Sequence, residues 1–159
     1  MRVPNFLRRR ESGSAVVEMA LVAPVVLLLM FAIIEFSIIF FTTMSMQYAV
    51  REGARYGVTG RTDKDTSNKP ARYQAMLNVM QNSSAGMYDM VSPVISVNGT
   101  SYPSSSNYSN SMFGKPGDIV VIRLDCSWTV KTPLLGAFFK NGKLNFSVAA
   151  TMLNEDWDA

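Results

Sequence analysis

The chain contains no histidine and a single cysteine among its 159 residues. The first absence removes Ser-His-Asp and Cys-His catalysis; the second rules out an internal disulfide and a cysteine-rich zinc cage. The excess of positive charge lies in one place. The formal net charge is +3, yet Arg2, Arg8, Arg9 and Arg10, offset by Glu11, all lie in the first 13 residues, and beyond them acids and bases balance. A basic tail is not a nucleic-acid surface, so nucleic acid is not expected as a partner. Nor does any cluster of residues suggest a metal, a cofactor or a catalytic site: Arg123 and Asp125 share a strand face, with no nucleophile beside them. The chain is expected not to be an enzyme.

What the chain does have is a long apolar run. Between Met19 and Phe41 the only charge is Glu35, and at about 1.5 Å per residue such a helix reaches roughly 34 Å, enough to cross a hydrocarbon core. The arginines precede the run and Thr42-Thr43-Met44-Ser45 follows it, so the positive-inside rule places the N-terminus in the cytoplasm. A secretory signal fits poorly, because Glu18 interrupts the apolar region and Ala20–Ala23 is followed by Pro24. Pro24 is also expected to bend the span. Glu35 reads equally well as an interfacial residue or as a helix-packing contact.

At the head of this run stands Gly13-Ser14-Ala15-Val16-Val17-Glu18. A glycine after a basic leader, then small and apolar residues, then a carboxylate, resembles the type IV prepilin processing site. The resemblance implies that prepilin peptidase cuts after Gly13, exposing Ser14, and that Glu18 meets a neighbouring subunit's amino terminus. A glycine there would let the backbone leave the helix and enter a protease cleft. On residues alone, Glu18 could equally be an interfacial acid favoured by the helix dipole.

Further pieces extend the resemblance. Glu35-Phe36, Arg51-Glu52-Gly53-Ala54-Arg55-Tyr56, Pro116-Gly117-Asp118, Thr132-Pro133-Leu134-Leu135 and Ala149-Ala150-Thr151-Met152 with Glu155 are together similar to the TadE-like family, over about residues 9–155. The position after the family's glutamate tends to be aromatic; here it is Met19. Membership implies a non-enzymatic minor pseudopilin of a tight-adherence (Flp-type) pilus machine in the bacterial inner membrane. The implied partners are prepilin peptidase, other pilins or pseudopilins, platform proteins of the inner membrane and the lipid bilayer. The expected organisation is a leader at 1–13, a transmembrane helix at 14–41 and a periplasmic domain at 42–159. The alternative is an uncleaved single-pass protein presenting a binding or sensing domain.

The outer domain is expected to be α+β, a long N-terminal helix packed on a small antiparallel sheet. The helix should continue to about Tyr56, with Met46, Ala49, Val50, Gly53, Ala54 and Gly57 forming one stripe toward the sheet. Arg51, Glu52 and Arg55 project elsewhere, as a solvated face with an i, i+3 ion pair or as a charged contact with a partner. Thr62–Lys69 reads as a loop. Pro70 suits the first turn of a helix to about Gln81, with Tyr73, Met76, Leu77 and Met80 inward.

Val91–Val97 alternates as a strand, and Asn98-Gly99 signals a hairpin. Ser101–Met112 reads as a connection or as a tyrosine-bearing contact loop. Lys115–Asp118 suits a type II turn. From Val120 to Lys131 strict alternation defines a strand that buries Val120, Ile122, Leu124, Cys126, Trp128 and Val130, making Cys126 a buried small hydrophobe. A last strand runs from about Leu144 to Met152.

Overall fold

A computed structural model describes residues 11–157. The leader arginines lie outside the described residues. Helix α1, Glu11–Gly57, is continuous over 47 residues and runs through Pro24. It is followed by α2 (Arg72–Ser83), a short α3 (Met87–Val91), strands β1 (Val94–Val97), β2 (Thr100–Tyr102) and β3 (Ile119–Thr129), a single helical turn α4 (Pro133–Gly136) and strand β4 (Lys143–Leu153). The four strands form one antiparallel sheet in the order β2-β1-β3-β4. The α+β architecture is the expected one.

The β1–β2 hairpin follows from its turn residues. Val97 pairs with Thr100, leaving Asn98 and Gly99 as a two-residue loop with φ of 48° and 84°, the left-handed pair that only such residues adopt at little cost. The Asn98 side chain then continues the β1–β3 pairing, its Oδ1 accepting the Val121 N–H at 2.8 Å. At Lys115–Asp118 the Asp118 N–H donates to the Lys115 carbonyl at 3.2 Å, with Gly117 at φ 77°, which is the type II geometry.

The alternation in β3 translates directly into burial. Val120, Ile122, Leu124, Cys126 and Trp128, with Val130 just past the strand, are all buried. β4 lies against β3 from Ile119↔Leu153 to Thr129↔Lys143 and adds Val148 and Met152 to the core.

The stripe on α1 is buried as expected, but its glycines face a different element. A Cβ added at Gly53 would collide with Met80, and one at Gly57 with Met76, so the two glycines admit the methionines of α2 rather than the sheet. Side-chain-free positions let the helix backbones approach, and flexible methionines fill the space.

Three local expectations need correction. Pro70 precedes α2 instead of opening it: Ala71 is extended (φ −122°, ψ 135°), and its N–H is held by Asp65 at 2.8 Å. Val91 is buried, but as the last residue of α3. The left-handed Ser92 (φ 41°) and then Pro93 separate it from β1, which begins only at Val94. The segment Ser101–Met112 is not a plain connection, because β2 occupies its start, and Met112 and the fully buried Phe113 fill the core at its end.

Candidate functional site

The sequence-predicted site residues are strung along α1 and do not converge. Gly13 lies inside the helix, not at a break in it. A lone glycine costs a helix only about 1 kcal/mol, and the Ser14 hydroxyl donates to Glu18 Oε1 at 3.2 Å one turn away. Gly13 thus lies in the first turn of α1. Glu18 is exposed on an otherwise apolar surface. From Ala15 to Ile34 the helix is bare, with only Ala23, Leu28 and Ala32 partly covered. Such a surface is unstable in water and suits a bilayer or other apolar helices.

Glu35 is the exception along this stretch. It is only 4 % exposed, although helix positions on both sides of it face outward. Its Oε1 accepts the Trp128 indole N–H at 3.1 Å and the Lys131 backbone N–H at 3.1 Å. Its Oε2 accepts the Thr132 N–H at 3.2 Å and the Thr132 hydroxyl at 2.9 Å. β3 ends at Thr129, so the N–H groups of Lys131 and Thr132 have no ladder partner; the carboxylate supplies one to each. The acid thus joins the apolar helix to the end of β3. Sequence pattern does not show this, because a carboxylate's partner nearly a hundred residues away leaves no local signal.

Above Glu35 the helix enters the core, through Ile39, Thr42, Met46 and the residues of the stripe. On the opposite face Arg51 is exposed, and Arg55 sits 3.8 Å from Glu52, with the arginine side chain 83 % exposed. An ion pair that open to water is worth little to stability.

Arg72 was not anticipated, since a lone arginine at a helix start looks like any solvated residue. It is buried, and its guanidinium donates to the carbonyls of Gly57, Phe113 and Gly114 and to Asn154 Oδ1, at 2.7–3.3 Å. Trp157 stacks on it, 4.4 Å from the ring centroid. Asn154 in turn donates to the carbonyls of Phe113 and Lys115. Burial lowers the Arg72 pKa from its ordinary value, yet an arginine remains charged at neutral pH. One cation therefore ties together the end of α1, the start of α2, the loop before β3 and the end of β4.

Burial also pushes the Cys126 thiol up to about 12, reinforced by the nearby Asp125 charge. Arg123 and Asp125 pair with each other at 2.8 Å on the open sheet face. Among the described residues no three His, Cys, Asp or Glu side chains group as metal ligands would.

A family model described as TadE-like protein matches residues 13–55. The match begins at Gly13 and ends at Arg55, so it covers nearly all of α1, including Glu18, Glu35 and the Arg51–Arg55 block, and stops before the sheet. The matched residues make up less than a third of the chain and lie on one helix that is long and apolar enough to cross a membrane. No curated protein and no solved structure matches the chain.

Proposed function

We propose that this chain is a non-enzymatic, membrane-anchored minor pseudopilin that supports assembly of a tight-adherence (Flp-type) pilus. The observation that carries this is a single helix with two environments. Its N-terminal half is bare and apolar with Glu18 exposed upon it, while its C-terminal half is packed into a helix-on-sheet domain. The TadE-like match over that same helix supports it.

Residues 1–13 form the leader, which prepilin peptidase removes by cleavage between Gly13 and Ser14. Gly13 lies in the first turn of α1, where helices fray, so the bond is within reach of the peptidase. The arginines hold the N-terminus in the cytoplasm, the bilayer is crossed within residues 14–41, and the domain from 42 onward faces the periplasm. Glu18, costly in lipid when unpaired, meets the amino terminus of a neighbouring pilin. Arg51 and the water-exposed Glu52–Arg55 pair are available for an assembly contact, whereas Glu35 already has its bonds within the chain.

The test is piliation in cells carrying Glu18→Ala. Loss of pili with normal amounts of membrane-inserted protein is the expected result. Normal piliation from the variant, or from a strain lacking this chain, would favour an uncleaved anchor for a binding or sensing domain.

A further inference from the structure

The β3–β4 connection has a composition that the pilus role does not require. From Cys126 to Asn154 there is no acidic residue, while Lys131, Lys140 and Lys143 are all exposed around the connection. At its tip Phe138 is 81 % exposed, the most exposed large apolar side chain of the described residues, in the run Gly136-Ala137-Phe138-Phe139. Tight turns hold it outward: Phe138 and Phe139 donate their N–H groups to the Leu135 and Gly136 carbonyls at 3.0 and 3.1 Å. The Val130 N–H closes the base on Gly142 at 2.9 Å.

The position of the connection along α1 is fixed by Glu35. Lys131 and Thr132, at its start, are bonded to that carboxylate. Ala32, nearly one turn nearer the bare end of the helix, packs against the core cluster that includes Val130 and Leu135. Between Ala15 and Ile34 the exposed helix measures about 30 Å at 1.5 Å per residue, which is the thickness of a hydrocarbon core. A bilayer seated on that segment has its outer boundary at Glu35, level with the connection.

We propose that the β3–β4 connection is a second membrane contact. It lies in the headgroup region of the leaflet from which α1 emerges, with Phe138 entering the acyl boundary and Lys131, Lys140 and Lys143 facing anionic lipid headgroups. An exposed aromatic beside lysines is the composition that favours such an interface. Together with the Glu35 bonds, this contact fixes the tilt of the outer domain on the membrane. The inference rests on the anchored reading of α1.

The full chain, with Cys126→Ala as background and its fold checked by circular dichroism, is reconstituted into phosphatidylethanolamine–phosphatidylglycerol vesicles. An environment-sensitive fluorophore is placed on a single cysteine at Val25→Cys in the helix, Phe138→Cys or Ala137→Cys in the connection, or Thr66→Cys at the far end of the domain. Lipids bearing a nitroxide near the headgroup end of the acyl chain serve as quencher. The expected result is strong loss of emission at the connection, stronger than with a nitroxide near the terminal methyl, and none at the Thr66 position. A quenched helix probe with the connection as water-exposed as the Thr66 position would overturn the membrane contact alone. A connection probe shielded from water but not quenched by lipid would overturn it in favour of a second copy of the chain. An unquenched helix probe would overturn the anchor and this inference together.

Discussion

Trp128 donates its indole N–H to Glu35 across 93 positions of sequence, a bond that ties the apolar part of α1 to the end of β3. Removing the carboxylate in Glu35→Ala orphans the indole and the N–H groups of Lys131 and Thr132. Hydrogen bonds to a charged group contribute about 1.5–3 kcal/mol, so a loss of about 2–3 kcal/mol is expected in denaturant unfolding of detergent-solubilised protein. In a double-mutant cycle with Trp128→Phe the effects should be non-additive. Additive effects would mean that the bond carries no coupling.

The packing of Gly53 against Met80 gives a prediction whose sign opposes intrinsic helix propensity. Alanine is favoured over glycine in a helix by about 1 kcal/mol, but here its Cβ meets the Met80 side chain, and overpacking costs about 1–3 kcal/mol. Gly53→Ala should therefore destabilise the protein. In a Met80→Ala background the same change should be neutral or stabilising, as read from unfolding midpoints.

Arg72→Lys keeps the charge and loses the fork. A lysine ammonium cannot reach Gly57, Phe113, Gly114 and Asn154 together, nor stack on Trp157 in the same way. A cost of about 2–4 kcal/mol is expected, since several buried carbonyls lose their donor. A change in Trp157 emission in the native state would show that the C-terminal clasp has loosened.

Acid should open the segment between α1 and α2 before the sheet. Asp65 accepts the Ala71 N–H, then the Ser67 N–H and hydroxyl, and these bonds, Ala71 first, lower its pKa from the ordinary 3.8. With the folded value below the unfolded one, the carboxylate's stabilisation is complete above the ordinary value and is lost as pH falls through the lowered one. Amide exchange at Ser67 and Ala71 should rise in that acidic window, and Asp65→Asn, which has no carboxyl to titrate, should abolish that rise.

The periodic parts of this fold were open to sequence reasoning. Alternation from Val120 to Val130 placed Cys126 and Trp128 inward, and Asn98-Gly99 named its own turn, because each signal depends on adjacent residues. What was not legible depends on distant partners. Sequence alone reads Glu35 equally as an interfacial acid or a helix-packing contact, and its actual partners sit at the end of β3. Arg72 and Phe113 carried no pattern, since neither lies in an alternating or helical apolar series. That Gly53 and Gly57 meet α2 is hidden for the same reason: spacing shows that a face is buried but not which element covers each part of it.

The central claim, a processed and membrane-anchored pseudopilin, is tested most directly by the N-terminus of the protein extracted from membranes of a peptidase-competent host. Intact mass and Edman sequencing should show a chain beginning at Ser14, with Gly13 and the arginine leader gone. A chain that still begins at Met1 in that host would contradict the account.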